Sequence, residues 1–492
     1  MGKEQYMGVI QNSKVFELEP VQLGENQEYV LRGGRELLPK LPEAFDGIKQ
    51  IGVIGWSAQG PAQAQNLRES LAGTDIKVVV GLRENSTSIP SAEAAGFTRE
   101  NGTLGEMFDV IKSSDLTLLL IADAALAALY DKIFKAMKPG STLGLSHGFL
   151  IGHLKSQGES LPDNINVIGV CPKGMGRSVR RLYEQGSGIN ASVAIEQDVN
   201  GKAVDYALGW AVGLGSPATF ETTLTSEYTS DIFGERGILL GAVHGVVETL
   251  YRYFIAKGSS PEEAFRDSVE AITGPISKTI SRDGITAVYE KLDDRGKMQF
   301  RHAYSAAYRP AYAVLTEIYE EVESGNEIRS IILSSNRLTN HPMGKIEGSA
   351  MWQVGEKVRA ARTDDEFPIN PVTAGVYIAT MMAQVDVLKK NGHPYSEIAN
   401  ESIIEAVDSL NPYMHAKGVA HMVDNCSTTA RLGARKWGPR FDHVLMHEAL
   451  PDLDQRPITD EELIENFFTS DIHEALATCA NYRPPIDIAV TD

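Results

Sequence analysis

The pattern of hydrophobic positions predicts an α/β arrangement in the first half of the chain. From Lys49, stretches of helical periodicity alternate with short, β-rich apolar runs, which include QIGVIG, KVVVGL, LTLLLIA and INVIGVC. Buried strands separated by helices are typical of a parallel, doubly wound sheet. We therefore predict a doubly wound α/β domain over residues 47–223, preceded by an irregular, polar N-terminal arm over residues 1–46.

Beyond Thr222 the apolar positions recur at helical spacing, as in GILLGAVHGVVETLYRYF and TAGVYIATMMAQVDVLKK. A sparse repeat with an offset of 134 residues runs through this half, and such self-similarity indicates a duplication. We predict an all-α C-terminal domain made of a tandem duplication, residues 224–370 and 371–492. The matching positions are Gly241 with Gly375, Gly258 with Gly392, Glu263 with Glu397, Ser268 with Ser402, and Val269 with Ile403.

Length, charge and cysteine content narrow the class of protein. The chain has 492 residues and a net charge of −19, so it has no overall electrostatic attraction for nucleic acid. Its three cysteines are too few and too scattered for a disulfide framework or a structural zinc site. No run approaches the roughly 18 apolar residues of a membrane span, and no leader peptide is visible. We expect an intracellular enzyme that binds small molecules, with neither nucleic acid nor membrane as a partner.

A glycine-rich turn follows the first strand of the α/β domain. Gly55, Ser57 and Gly60 occupy the positions of a G-x-G-x-x-G fingerprint, in which small residues let the backbone approach a pyrophosphate at a helix N-terminus. Serine at the middle position weakens the match. The turn indicates a Rossmann-like cofactor domain, with an ordinary tight strand-to-helix turn as the alternative.

The residue after the next strand bears on the choice of cofactor. An NAD-binding domain usually has an acidic residue there for the ribose 2′-hydroxyl, whereas NADP requires a cation for the 2′-phosphate. Here the strand runs into Arg83, and Ser86 and Ser88 follow. One guanidinium and two hydroxyl groups suit a phosphate, so we predict NADPH. A solvated loop arginine is the alternative.

Two pairs of acidic residues in the helical half have the spacing of a metal site. Asp231 and Glu235 are four residues apart, as are Glu401 and Glu405, so each pair shares one face of a helix. Two such faces together would provide the oxygen ligands that Mg²⁺ prefers. Most acidic pairs at this spacing are solvated helix surface, which is the alternative.

The repeat favours the metal interpretation. Each repeat keeps one complete acidic pair and has lost the other, as expected if one of two equivalent metal sites decayed after the duplication. The corresponding positions are Glu401 with Asp267, Glu405 with Ala271, Asp231 with Asp365, and Glu235 with Ile369.

Two further candidates follow predicted strands of the first domain, where ligands of such sheets bind. They are His147 in LGLSHGF and Lys173 in GVCPKGMG. A structural histidine and a surface lysine are the alternatives.

Six blocks of sequence carry a family resemblance: IGVIGWSAQGPAQAQNLR, LGLSHGFLIGHL, VCPKGMGRSVRRLY, SDIFGERGILLGAVHG, NESIIEAVDSLNP and VDNCSTTARLGARKW. In order and spacing they closely resemble ketol-acid reductoisomerase, in its long, plant-like class II form, from about Val30 to the C-terminus. The resemblance implies a knotted C-terminal domain, which periodicity alone does not indicate.

The resemblance also implies a reaction of two steps in one site. An alkyl group of 2-acetolactate or 2-aceto-2-hydroxybutyrate migrates with the help of two Mg²⁺ ions, and NADPH then reduces the rearranged 2-keto acid. The product is a 2,3-dihydroxy-3-methyl acid on the pathway to valine, leucine and isoleucine. A metal pair suits this reaction because the migration requires stabilised alkoxide charge. We expect a homodimer or a homotetramer.

The same resemblance assigns roles to individual residues. Asp231 would bridge the two metals, and Glu235 would bind one of them and assist as a base. Ser427 and Glu405 would contact the substrate. The metal ligands would be Asp231, Glu235, Glu401 and Glu405; the catalytic residues His147, Lys173, Glu235 and Glu405; and the cofactor-binding residues Gly55, Ser57, Gln59, Gly60, Arg83, Ser86 and Ser88.

Three departures from the plant-type pattern affect the prediction. Ser57 and Arg177 stand where those members have Gly and Pro, and Ser57 places a side chain where the backbone would approach the pyrophosphate. No plastid transit peptide is visible, so we expect a bacterial cytoplasmic enzyme, with a mature form in the plastid stroma as the alternative. Two other functions remain open: a metal-independent NADP-dependent hydroxyacid dehydrogenase and a non-catalytic nucleotide-binding scaffold.

Overall fold

The apolar runs of the first half form the strands of a ten-stranded sheet in the computed structural model of the protein, which describes residues 8–338, 340–362, 367–455 and 457–482. The sheet lies in the first of two units. Unit 1 extends to Tyr228 and includes residues 480–482, and unit 2 runs from Thr229 to Cys479. The strands are β1 (Glu19–Leu23), β2 (Asn26–Arg32), β3 (Gln50–Ile54), β4 (Lys77–Leu82), β5 (Leu104–Glu106), β6 (Leu116–Leu119), β7 (Thr142–Leu145), β8 (Asn166–Pro172), β9 (Ala191–Gln197) and β10 (Ala218–Glu221).

Six of these strands are parallel neighbours in the order β5-β4-β3-β6-β7-β8. This is the strand order of dinucleotide-binding sheets, whose ligand crevice lies at the carboxyl ends of the two central strands, where the order reverses. Here those strands are β3 and β6. The prediction of a Rossmann-like, doubly wound domain is confirmed.

The sheet is mixed rather than wholly parallel, which corrects the expectation from the hydrophobic pattern. β9 is antiparallel to β8, β10 is parallel to β9, and β2 is antiparallel to β10. An alternation of strands and helices does not specify the direction of strands added at an edge, so the pattern could not distinguish these cases.

The prediction of an irregular arm over residues 1–46 is wrong for residues 19–32. These residues form a hairpin of β1 and β2, in which Leu23 pairs with Asn26 around a two-residue turn. Gly24 at the turn has φ of 56°, a left-handed conformation that glycine adopts without strain. Alternate residues such as Val21 and Leu23 are buried, and this short alternation was the missed signal.

Helices cover both faces of the sheet. Ile51 and Val53 of β3 pack on the face that also buries Trp210, whereas Ile54 and Leu145 pack on the other face. The helices that begin in unit 1 are α1 (Leu41–Ala44), α2 (Gly60–Ser70), α3 (Ile89–Ala94), α4 (Met107–Ser113), α5 (Asp123–Ala136), α6 (Phe149–Gln157), α7 (Gly176–Glu184), α8 (Ala203–Gly213) and α9 (Leu224–Arg236), with 3₁₀ segments at Val9–Asn12 and Arg35–Lys40; α9 continues into unit 2.

The described part of unit 2 is helical throughout, as the sequence pattern predicted. Its α-helices are α10 (Gly241–Ala256), α11 (Pro261–Phe265), α12 (Ser277–Asp283), α13 (Thr286–Glu290), α14 (Asp294–Glu323), α15 (Asn326–Arg337), α16 (Ala350–Ala360), α17 (Pro371–Lys390), α18 (Tyr395–Glu397), α19 (Asn411–Lys417), α20 (Val419–Asn425), α21 (Thr428–Val444), α22 (Leu450–Gln455), α23 (Glu461–Thr469) and α24 (Ile472–Ala480). Segments of π-helix lie at Arg266–Glu270, Ile272–Ile276, Ile398–Leu410 and Leu445–Ala449.

Helix boundaries in unit 2 recur at the offset of 134 residues. The run from α11 to α12 spans residues 261–283 and contains two π-helical segments; the run from α18 to α19 spans residues 395–417 and contains one long π-helical segment. The N-cap residues Asp293 of α14 and Ser427 of α21 also correspond, and each accepts a backbone N–H three residues later. Ser277 and Asn411 occupy equivalent positions and bond to each other at 2.8 Å, so they lie where the two repeats meet.

The two repeats are interlocked. The first long helix of each repeat packs against the long helix of the other: α10 contacts α21, and α17 contacts α14. Glycines make both contacts close, because a Cβ atom at Gly245 would lie 2.4 Å from the carbonyl oxygen of Gly438, and one at Gly375 would lie 2.6 Å from that of Phe300. Neither repeat therefore buries its apolar helix faces alone. Asp365, the expected partner of Asp231 in the repeat, lies outside the described residues.

Within the described part of the chain, two helical stretches are long and apolar enough to cross a membrane. They are Leu224–Ala256 and Pro371–Lys390, and 72% and 83% of their apolar windows are buried inside the protein. Burial of this extent is typical of the core helices of a globular domain.

Candidate active site

The predicted cofactor-binding glycines lie at the carboxyl end of β3, in the crevice of the sheet. The N–H of Gly55 donates to the carbonyl oxygen of Gly81 in β4 (3.2 Å). Gly55 has φ of 110°, and a Cβ atom there would lie 2.3 Å from the carbonyl oxygen of Leu120, just beyond β6. Only glycine satisfies both constraints.

Gly60 is the first residue of α2 and packs against the backbone of Gly55. A Cβ atom at Gly60 would lie 2.4 Å from the carbonyl oxygen of Gly55, so glycine lets the helix start pack closely on the strand end. Ser57 lies exposed in the turn, and Gln59 donates through Nε2 to the carbonyl oxygen of Gly174 (3.1 Å). A helix N-terminus beside an exposed turn is suited to bind a phosphate group.

The three residues predicted to recognise the 2′-phosphate share one turn after β4. The N–H of Ser86 donates to the carbonyl oxygen of Arg83 (2.9 Å), and the N–H of Ser88 donates to Oγ of Ser86 (3.2 Å). Arg83 is exposed, and the two serines are half-buried. Because β3 and β4 are parallel neighbours, this turn and Gly55 lie at the same edge of the sheet.

His147 and Lys173 lie beyond the ends of β7 and β8, which are also parallel neighbours. The side chain of Lys173 is buried, and its backbone N–H donates to the carbonyl oxygen of Asn190 (2.8 Å). Nδ1 of His147 lies 3.3 Å from a carboxylate oxygen of Glu227, in the first turn of α9. Lys173 also lies close enough to Glu227 for its charge to act on this carboxylate, which was not among the predicted residues.

Glu227 is a buried, ionised carboxylate. It is 2% exposed and accepts the backbone N–H of Gly148 at 2.6 Å. Burial opposes its ionisation, but the charges of His147 and Lys173 and this hydrogen bond lower the pKa of Glu227 below its ordinary value. Its signal in the sequence was a regular spacing, since Glu227, Asp231 and Glu235 follow one another at intervals of four residues.

The four predicted metal ligands all belong to unit 2. Asp231 and Glu235 lie one turn apart on α9. Glu401 and Glu405 lie in the π-helical segment Ile398–Leu410, where the sequence pattern predicted an α-helix. Such segments are rare in proteins and occur frequently at functional sites. Glu401 is fully buried, and the other three residues are half-buried.

Carboxylates from two different elements lie around Cys426. Burial raises the pKa of the Cys426 thiol to about 12, and the negative charges of Glu235 and Glu405 add to the rise. The next residue, Ser427, is the N-cap of α21, and its Oγ accepts the N–H of Ala430 (3.0 Å). Glu235, Glu405 and Ser427, which were predicted separately from the sequence, thus share one region of unit 2.

The donor set of this region suits magnesium. The four side chains offer carboxylate oxygens and no nitrogen or sulfur, and oxygen ligands are those that Mg²⁺ prefers over softer metals. Two carboxylates come from each of two helical elements, and one of each pair lies near Cys426. The hydroxyl group of Ser427 remains able to donate its proton to an oxygen of a ligand, because its helix-capping bond uses only an oxygen lone pair.

Comparison with known families defines the class of protein. Residues 47–219 match the family model described as acetohydroxy acid isomeroreductase, NADPH-binding domain. Residues 224–364 and 370–470 match the model described as ketol-acid reductoisomerase, C-terminal domain. The sheet order and the glycine turn agree with the first match, and together they define an NADPH-dependent oxidoreductase.

Similar proteins extend the comparison over nearly the whole chain. A chloroplastic ketol-acid reductoisomerase of Spinacia oleracea is 58% identical over 98% of this chain and 83% of its own length. A chloroplastic ketol-acid reductoisomerase of Pisum sativum is 57% identical over 97% of this chain and 85% of its own. The chain belongs to the ketol-acid reductoisomerase family.

A solved structure agrees on the fold. An NADH-preferring ketol-acid reductoisomerase from an uncultured archean superposes with a TM-score of 0.56 and 24% identity, over 71% of this chain and the whole of that one. At this identity the likeness bears on the fold alone.

Proposed function

We infer that the protein is a ketol-acid reductoisomerase of branched-chain amino-acid biosynthesis. It converts 2-acetolactate and 2-aceto-2-hydroxybutyrate to 2,3-dihydroxy-3-methyl acids, and its reductant is NADPH. The observation that carries this conclusion is the 58% identity to the spinach enzyme over 98% of the chain. The site residues, the metal and the assembly are proposals, which the following observations support.

We assign Asp231, Glu235, Glu401 and Glu405 as the ligands of two Mg²⁺ ions. When bound, Mg²⁺ supplies Lewis-acid polarisation of the substrate oxygens and NADPH supplies a hydride. Support comes from the all-oxygen donor set and from the proximity of both Glu235 and Glu405 to Cys426. Such a set has no evident use in a metal-independent dehydrogenase or in a nucleotide-binding scaffold.

Several side chains of the protein accept a proton from the ligands or orient them by hydrogen bonds. Glu235 accepts the proton of the substrate hydroxyl at its carboxylate, and Glu405 and Ser427 orient the substrate by hydrogen bonds. On unit 1, we propose that the side chains of His147 and Lys173 donate hydrogen bonds to anionic oxygens of the ligands, with the buried carboxylate of Glu227 beside them.

We propose that Gly55, Ser57, Gln59 and Gly60 bind the pyrophosphate of NADPH, and that the turn of Arg83, Ser86 and Ser88 binds its 2′-phosphate. The strained glycine at position 55 and the start of α2 support the first assignment. The guanidinium and the two hydroxyl groups at the same sheet edge support the second.

For location, the names of the spinach and pea relatives favour the plastid stroma over a bacterial cytoplasm, which was our first expectation. A homodimer or a homotetramer remains our proposal for the assembly, with small molecules as substrates and no nucleic acid or membrane partner.

NADPH oxidation tests this function. The purified protein is mixed with 2-acetolactate and NADPH, with Mg²⁺ or after its removal with EDTA. We expect turnover only with Mg²⁺, and turnover in EDTA would indicate a metal-independent dehydrogenase. The rearranged 2-keto acid, supplied directly, measures reduction apart from migration. A folded protein that is inactive with both substrates in Mg²⁺ would contradict the proposed function.

A further inference from the structure

Next to the proposed metal ligand Glu235 lies a buried ion pair of Arg236 and Glu327, neither of which was among the predicted site residues. We propose that Arg236 and Glu327 are positioning residues, which fix the carboxylate of Glu235 in the orientation that binds metal. The proposal rests on the proposed function, because it concerns a ligand of the proposed Mg²⁺ site.

Arg236 is fully buried, and its guanidinium bonds two carboxylates. Nη1 donates to Oε2 of Glu235 (2.9 Å), and Nε donates to Oε2 of Glu327 (3.0 Å). Adjacent residues of a helix project in directions about 100° apart and do not normally face each other. The contact between Glu235 and Arg236 therefore requires that something else hold the arginine in place.

Glu327, in α15, holds the side chain of Arg236 in place. This residue is 1% exposed, and its Oε1 accepts hydrogen bonds from Trp437 Nε1 (3.0 Å) and from Lys436 Nζ, both on α21. Although burial opposes ionisation, the nearby Arg236 and Lys436 cations lower the pKa of Glu327. Hydrogen bonds from Arg236, Lys436 and Trp437 fix the orientation of the Glu327 carboxylate, and this carboxylate in turn fixes the position of the Arg236 guanidinium.

Helix α21 also shapes the space for the guanidinium. A Cβ atom at Gly433 would lie 2.7 Å from Cζ of Arg236, so only glycine leaves room for this group. Nη2 lies 3.5 Å from the carbonyl oxygen of Thr429, in the first turn of the helix that Ser427 caps. The arginine thus joins α9, which carries Glu235, to the start of α21, which carries the proposed substrate serine.

The pair acts through geometry more than through charge. A lone arginine beside a metal ligand would repel Mg²⁺, but the negative charge of Glu327, which Lys436 shares, lies 3.0 Å from Nε of Arg236 and offsets part of its charge. What remains is a fixed orientation of the Glu235 carboxylate, set by the hydrogen bond from Nη1 of Arg236. Hydrogen-bonded partners of metal ligands typically change metal affinity or activity by about 10- to 100-fold when they are removed.

The central test replaces Arg236 by lysine, which keeps the positive charge but removes the planar guanidinium that bonds two carboxylates at once. Mg²⁺ affinity is measured by calorimetry in the absence of substrate for the wild type and for Arg236→Lys. Arg362→Lys is the matched control, because Arg362 also pairs with a carboxylate buried in unit 2, Glu270 (3.0 Å). We expect the Mg²⁺ dissociation constant to rise about 10- to 100-fold in Arg236→Lys and to remain at the wild-type value in the control.

Two further variants separate positioning from folding. Gly433→Ala keeps Arg236 but displaces it, and we expect the same loss of Mg²⁺ affinity. In Arg236→Ala, added guanidinium chloride at low millimolar concentration can enter through the cleft that Arg236, Glu327, Arg435 and Lys436 help to line. Recovery of Mg²⁺ affinity with guanidinium, but not with sodium chloride, would support positioning, since a merely structural defect would not respond.

The outcomes distinguish this inference from the proposed function. If the wild type binds no Mg²⁺, the proposed metal site is wrong. If the wild type binds Mg²⁺ and folded Arg236→Lys and Gly433→Ala bind it equally well, the metal site stands and the positioning role of Arg236 is overturned. A loss of affinity in Arg362→Lys as large as in Arg236→Lys would also overturn it, because the effect would then be a general one of buried ion pairs.

Discussion

Substituting Gly55 by alanine should separate backbone strain from steric conflict in the cofactor turn. At this position φ is 110°, and the new Cβ atom would lie 2.3 Å from the carbonyl oxygen of Leu120. The left-handed backbone costs about 1–2 kcal/mol for a residue with a side chain. Relieving the overlap by a shift of roughly 1 Å costs about 1–3 kcal/mol more. We expect a loss of about 2–5 kcal/mol in the free energy of unfolding of unit 1.

Gly158→Ala is the matched control for this experiment. Gly158 has φ of 69°, and nothing lies within 4 Å of the Cβ position, so only the backbone strain applies. Urea unfolding measures stability, and NADPH titration by fluorescence measures affinity. Because displacement by about 1 Å can cost about 10²-fold in kcat/KM, Gly55→Ala should also lose most of its activity. Equal stability and activity in the two variants would refute the argument.

Three further predictions follow from the site and the repeats. Arg83→Ala should weaken NADPH binding about 10- to 100-fold, since a charged hydrogen bond contributes about 1.5–3 kcal/mol, and it should leave NADH binding nearly unchanged. Titration with both cofactors measures the two affinities. An unchanged preference for NADPH over NADH would contradict the prediction. The lowered pKa of Glu227 means that its contribution to stability is complete above the ordinary pKa of about 4.3 and is lost as the pH falls through its pKa in the folded protein. Urea unfolding at several acidic pH values should therefore show a steeper loss of stability for the wild type than for Glu227→Gln, and parallel curves would refute this. Asn411→Ala removes two buried hydrogen bonds of 2.8 Å, one to Ser277 and one to Tyr377. It should lower the free energy of unfolding of unit 2 by about 2–4 kcal/mol. A change below about 1 kcal/mol would contradict the role of this contact between repeats.

Local sequence patterns predicted those parts of the fold that depend on local chemistry. The helical second half follows from hydrophobic periodicity, and the tight turn at Gly55 follows from the glycines that come directly after a buried strand. The cofactor role of Arg83 stays a prediction. The hairpin at residues 19–32 was missed because each strand shows only two or three alternations. The π-helical segment that carries Glu401 was missed because a spacing of four residues is compatible with either kind of helical turn.

The long-range contacts of the site could not be predicted in this way. Glu227 has a visible spacing to Asp231, but its role depends on His147, which lies 80 residues away in the chain. Glu327 contacts Arg236 across 91 residues, and no local pattern links the two. The interlocking of the repeats likewise depends on tertiary packing, and the knot implied by the family resemblance stays a prediction.

The central claim is that the carboxylates of unit 2 hold two Mg²⁺ ions. The most direct measurement is the stoichiometry of Mg²⁺ binding by calorimetry, in the wild type and in Asp231→Asn, which changes the ligand that the family resemblance assigns to both ions. The account predicts two Mg²⁺ per chain in the wild type and loss of both in the variant, with the fold retained. A wild-type chain that binds no Mg²⁺, or a folded variant that still binds two with unchanged affinity, would contradict it.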